Sequence, residues 1–190
     1  MLPNQRRYIT FLNLRKNKVS SSKEHFKKAQ SDEISLSEYI PGCLSTLCAI
    51  QSEYYAREWG FGARYESVIG AGVAEFLTRY NSEKDFVKLV IKNKQVIGGI
   101  TIDHKDGKTA QLRWFIVSEE ARGTGVGQKI FLEAMAFVKS SKFEQVFLTT
   151  FEGLDKARCF YERSGFTLTK SKIASTWGKE VVEQRFDWFA

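Results

Sequence analysis

Proline and histidine are scarce in this chain, two of each among 190 residues, and the cysteines number only three. With so few histidines, and with Cys43, Cys48 and Cys159 spaced unlike metal ligands, no metal centre is expected. The cysteines read instead as small buried apolar residues. No apolar run approaches the roughly 18 to 20 residues that a membrane span needs, and the first residues lack the apolar segment of a secretory signal. The expectation is a cytoplasmic protein with no membrane partner. Its content of 43% hydrophobic and 27% charged residues is that of a globular domain with a real core.

Acidic residues are nearly missing from the start of the chain. Residues 1–30 hold eight basic side chains, from Arg6 to Lys28, against Glu24 alone. The rest of the chain balances at 21 basic and 21 acidic residues, so the net charge of +7 belongs to the first thirty. This divides the sequence into a basic arm, residues 1–32, and a neutral body, residues 33–190. An arm of this kind can touch nucleic acid or an acidic partner, or simply be solvated. Thirty residues are too few for a complete helix-turn-helix, and nucleic acid is not the expected partner.

Within the arm, Tyr8–Leu14 could add a strand. The body opens with a short strand at Glu33–Glu38, broken by Pro41 and Gly42. Leu44, Leu47, Cys48, Tyr54 and Tyr55 recur near helical spacing and predict a first helix to about Glu58. A second helix follows from Tyr65 to Tyr80, weakened by Gly70 and Gly72. After Asn81 the period becomes two: FVKLVIK and QVIGGITID form a hairpin, and KDGK turns into a third strand, QLRWFIV. A helix from about Gly125 to Ser140, a strand VFLTT, a helix around Leu154–Arg163 and two closing strands complete the pattern. The order predicts an α+β fold, a mixed sheet flanked by helices.

The segment Arg122-Gly-Thr-Gly-Val-Gly-Gln128 lies between a strand and a helix. Glycine is costly to order, so three in alternation suggest a use beyond a plain turn. A loop without side chains can aim its N–H groups, with those of the following helix, at a phosphate. The Rossmann spacing and the Gly-Lys-Ser/Thr of a P-loop are both absent.

Strand, Arg-x-x-Gly-x-Gly, helix, strand, then Ala157-x-x-x-Tyr161-x-x-x-Gly165-Phe166 resembles the GNAT family, the GCN5-related N-acetyltransferases. The likeness runs over roughly residues 33–188 and extends to the acetyltransferase half of bacterial MarR/GNAT fusions, through LRWFIV, YYAREWGF and the ending around Trp177, Gly178, Glu183, Gln184 and Arg185. The resemblance implies acetyl-CoA, or coenzyme A, as cosubstrate. It implies that Gly123, Gly125 and Gly127, with Arg122, Thr124, Val126 and Gln128, wrap the pyrophosphate. It also implies that the main chain of Phe115, Ile116 and Val117 holds the pantetheine arm and polarises the thioester carbonyl. Tyr161 is the implied catalytic acid toward the departing thiolate; on spacing alone it reads as a core aromatic. Leu154 stands where the family often has a cofactor-binding Asn.

For the base that frees the acceptor amine, Glu53, Glu58, Glu119 and His104 are candidates. The first-helix region, with Tyr54, Tyr55, Trp59 and Phe61, is expected to border the acceptor, and Arg57 or Arg64 to hold an acceptor carboxylate. The implied reaction is acetyl transfer to an amine of a small molecule, or of a peptide or protein, with a homodimer as a further expectation. A non-catalytic acyl-CoA sensor whose arm binds DNA or a partner is the alternative.

Overall fold

The computed structural model describes residues 33–190, and the strand expected at Tyr8–Leu14 lies outside them. Seven strands form one sheet in the order β1-β2-β3-β4-β5-β7-β6: β1 (Ser35–Ser37), β2 (Phe86–Lys92), β3 (Gln95–Asp106), β4 (Thr109–Val117), β5 (Gln145–Phe151), β6 (Thr167–Ala174) and β7 (Val181–Phe189). Every neighbouring pair is antiparallel except β4 and β5. The mixed sheet flanked by helices is the α+β fold that the sequence implies. Among the described residues no helix is long and apolar enough to cross a membrane.

Helices cover both faces of the sheet, and the side on which each sits follows from its apolar stripe. In α1 (Cys43–Trp59) Cys43, Leu44 and Leu47 are buried, and in α2 (Ala63–Arg79) Val73 and Phe76. These meet Val87 and Leu89 of β2 and Trp114 of β4 in one cluster. In α3 (Val126–Ser140) Ile130, Phe131, Ala134 and Val138 recur at helical spacing and pack on the opposite face, against Val90, Ile100 and Ile102. Strand alternation explains the split, because Leu89 and Val90 are adjacent and must point to opposite faces. The short α4 (Asp155–Arg163) joins the α3 side through Phe160 and Tyr161. A third, aromatic cluster of Phe61, Tyr65 and Phe151 fills the open end of the α1/α2 side.

The sequence counts Gly70 and Gly72 against α2, yet the helix runs through both. Gly72 has a spatial reason: a Cβ there would crowd the Arg113 guanidinium, which Asp103 and the Trp114 ring hold in place. An interior Gly→Ala change ordinarily gains up to about 1 kcal/mol. Gly72→Ala is therefore expected to lower Tm in thermal denaturation, while Gly70→Ala, with open space around it, raises it. A rise at both positions would refute a steric need for glycine at position 72.

Candidate active site

The site is built where the sheet comes apart. Parallel pairing of β4 with β5 lasts only from Thr109↔Gln145 to Gln111↔Phe147. Beyond Gln111, β4 follows β3 while β5 follows β7. A bulge on β4 accompanies the divergence: Arg113 pairs with Thr101 and Ile116 with Gly99, leaving Trp114 and Phe115 opposite Ile100. Trp114 takes φ 46°, rare for a bulky residue. Its indole is buried against Phe76, with ring centroids 5.4 Å apart, and the Arg113 guanidinium lies 4.2 Å over it.

The bulge also re-aims the strand. Leu112 belongs to the α3-side core and Trp114 to the α1/α2-side core, after which Phe115 and Val117 return to the α3 side and Ile116 to the other. Without the extra residue, alternation would put Phe115 on the α1/α2 side.

Two cavities open at the split. The larger, about 1030 Å³, lies between the end of β4, the glycine loop and the start of α3 on one hand, and α4 with the last turn of α1 on the other. The smaller, about 310 Å³, lies toward α1 and α2 and reaches β7. Tyr55, Phe115, Thr150 and Tyr161 line both and form the wall between them.

The glycine loop forms one rim of the larger cavity. Gly123 has φ 78° and Gly125 φ 81°, values that side chains rarely adopt. The Thr124 hydroxyl donates to the Ala121 carbonyl at 2.7 Å and accepts the Val126 N–H at 3.4 Å, which fixes the turn. Gly125 caps α3. The next N–H groups, of Gly127 and Gln128, have no partner within the helix, and both residues line the cavity. The positive end of the helix dipole adds to their pull on an anion.

Tyr161 is buried, held on α4 beside Phe166 and Phe186. Burial, and then the nearby Tyr55 hydroxyl, push its phenol well above the usual tyrosine value. Tyr55 is pushed up to about 12, by burial and then by Tyr54.

The sequence pattern of the acetyltransferase (GNAT) family matches residues 44–166. The chain belongs to the GNAT family of acetyltransferases. The solved structures agree in fold. An acetyltransferase from Streptococcus agalactiae is 22% identical with a TM-score of 0.63, the match covering 83% of this chain and 98% of that one. Ribosomal-protein-alanine N-acetyltransferase from Brucella melitensis is 14% identical with a TM-score of 0.64, covering 82% and 99%. A Bacillus anthracis protein assigned as a streptothricin acetyltransferase, in complex with acetyl coenzyme A, is 19% identical with a TM-score of 0.52, covering 60% and 68%. No curated protein sequence matches the chain.

Within this GNAT domain, Phe115, Ile116, Val117, Arg122, Gly123, Gly125, Gly127 and Gln128 lie on the larger cavity. Thr124 and Val126 do not: the threonine hydroxyl ties the loop together, and Val126 is in the core. A Cβ at Gly125 would meet nothing within 4 Å, so its backbone angle, rather than crowding, calls for glycine. Leu154 lines this cavity beside Asp155 and Lys156.

The residues proposed around the acceptor are rearranged. Tyr54, Tyr55 and Trp59 border the larger cavity, Tyr55 alone reaches the smaller one, and Phe61 is buried against Phe151. Glu58 and Glu119 pair with Arg57 at the rim, and Arg122 lies over the Tyr54 ring at 5.1 Å. Arg64 packs under Gly178, Glu53 is exposed, and His104 sits beside Phe143; none of the three lines either cavity. Their exposed or distant positions could not be read from composition. The acidic residue that does line the smaller cavity is Glu183, within the ending already noted for its family likeness.

Proposed function

We propose that the chain is an N-acetyltransferase that moves acetyl from acetyl-CoA to the amine of a small molecule by direct attack. The observation that carries this reading is the shared wall: a large and a small cavity meet at Tyr55, Phe115, Thr150 and Tyr161. In this reading acetyl-CoA fills the larger cavity. Its pyrophosphate meets the N–H groups of the loop from Arg122 to Gln128. Its pantetheine arm takes up the backbone groups that β4 no longer pairs with β5. The acceptor enters the smaller cavity, whose volume of about 310 Å³ equals that of about ten waters, which suits a small molecule better than a folded protein surface.

Holding both reactants at one wall supplies much of the rate. Attack gives a tetrahedral intermediate whose oxyanion is stabilised by β4 N–H groups, and Tyr161 donates its O–H toward the sulfur as the C–S bond breaks. Residues 1–32 are, in this reading, a basic extension outside a cytoplasmic catalytic domain descended near the MarR/GNAT fusions. Their charge favours a second reading, an acyl-CoA sensor whose arm binds DNA or an acidic partner.

Calorimetry with acetyl-CoA tests the cofactor site. Wild type is expected to bind, and Gly125→Val, which forces a β-branched residue to positive φ, to bind roughly tenfold more weakly, since left-handed backbone costs about 1–2 kcal/mol. Equal affinity in both proteins would remove the loop from the site.

A further inference from the structure

Resting on the acetyl-transfer reading, we infer that Glu183 receives the acceptor as its ammonium ion and takes the proton that makes it a nucleophile, and that the acceptor is a small amine without a carboxylate. Arg113 and Glu183 are the charged side chains on the smaller cavity, and they are not equally free. The Arg113 guanidinium is stacked on Trp114, and its Nη1 donates to the fully buried Asp103 at 2.9 Å, with Glu75 at 3.6 Å. Its charge is therefore offset within the fold, leaving little to hold a substrate carboxylate.

Glu183 is half-buried, and its Oε1 accepts the Thr176 N–H at 3.0 Å. Lys172 stands opposite it on β6, yet among the described residues no cation pairs with Glu183. Around it the cavity presents the rings of Tyr55, Tyr65, Phe151 and Trp177. One uncompensated carboxylate among aromatic faces is a site for a cation. Thr150, in the wall shared with the larger cavity, lines the same smaller cavity as Glu183, so the carboxylate and the route to the thioester share one chamber.

The step balances. The ammonium passes one proton to the Glu183 carboxylate, and the nitrogen lone pair forms the C–N bond as the carbonyl π pair moves to oxygen. The oxyanion then re-forms C=O while the C–S bond breaks with its electron pair on sulfur. The remaining excess proton on nitrogen reaches the thiolate, and Glu183 returns its own to solvent.

The test uses the full chain with acetyl-CoA and two acceptors that differ only in a carboxylate, phenethylamine and phenylalanine, following CoA release. Glu183→Gln keeps the carbonyl that accepts the Thr176 N–H, so it removes charge without releasing the loop. Phenethylamine is expected to be acetylated and phenylalanine not, and Glu183→Gln to lower kcat/KM for phenethylamine about 100-fold with acetyl-CoA affinity by calorimetry unchanged. Turnover of phenylalanine at a comparable rate, or a Glu183→Gln variant within about threefold of wild type, overturns the inference. So does turnover of neither amine by a protein that binds acetyl-CoA, which leaves the cofactor reading standing. Failure to bind acetyl-CoA at all defeats the acetyl-transfer reading itself, and this inference with it.

Discussion

Replacing Tyr161 by phenylalanine is expected to lower kcat by roughly 10²- to 10⁴-fold, the range for losing a positioned acid, with acetyl-CoA affinity and fold retained. The ring is buried among Phe166, Phe186 and Phe160, and phenylalanine fills the same space. Only the O–H is lost, and among the described residues no group hydrogen-bonds to it, so no structural bond breaks. The raised phenol pKa refines its role. A thiol near the ordinary value of about 8.5 is the stronger acid, so full proton transfer from tyrosine to the thiolate runs uphill. A short hydrogen bond that stabilises the leaving sulfur fits better.

In the acetyl-transfer reading the working form is the neutral phenol. Its folded pKa is raised, so the donor is intact below the ordinary value of about 10 and is lost only as pH climbs past that. Any fall in kcat between pH 6 and 9 must therefore come from another group. Steady-state rates for Tyr161→Phe across this range, beside calorimetry, check both points. An unchanged kcat would leave Tyr161 a core aromatic with no part in the transfer.

The second large effect concerns stability. Asp103 on β3 is fully buried and receives Arg113, Lys105 at 2.6 Å and Arg79, with Glu75 beside all three cations. Asp103→Ala removes the one anion that all three cations hydrogen-bond, leaving them to Glu75 and Asp85, and is expected to cost about 3–5 kcal/mol, a fall in Tm on the order of 10 °C.

Burial alone would raise the Asp103 pKa, but the hydrogen bonds from Arg79, Lys105 and Arg113 outweigh it and hold the carboxyl below its ordinary value. The sign follows. A depressed pKa contributes stability that is present above the unfolded value of about 3.9 and is lost as pH falls through the folded one. The gap between wild type and Asp103→Ala should thus narrow in acid. Denaturation at pH 7 and pH 3 measures it, and a Tm for the variant within about 2 °C of wild type at pH 7 would show the cluster to be indifferent to its anion.

Most elements were legible because their signals are local. The period-two runs of β2 and β3, the stripe of Ile130, Phe131, Ala134 and Val138, and the stop at Gly165 each act through neighbouring residues. What escaped depends on contacts far apart in sequence. Gly72 reads as a flaw in α2 until Arg113, more than forty positions later, is found lying on it. The Trp114 bulge leaves no mark in QLRWFIV, since an extra residue in a strand is defined by its partner. The parting of β4 from β5 after three pairs is likewise a property of two strands. Glu183 stands out in sequence only as part of a family-like ending, and its place in a cavity comes from α1, α2 and the Thr176–Trp177 turn closing around it.

The short parallel contact leaves a thin seam within the sheet. From β1 to β4 the strands make one wing, from β5 to β6 another, and three residue pairs stitch them together. Phe115 belongs to the first wing, and Thr150 belongs to the second. Both cavities are bounded by both wings, so each draws its walls from strands on either side of the seam. A ligand in either chamber therefore touches both wings and spans a seam of three residue pairs.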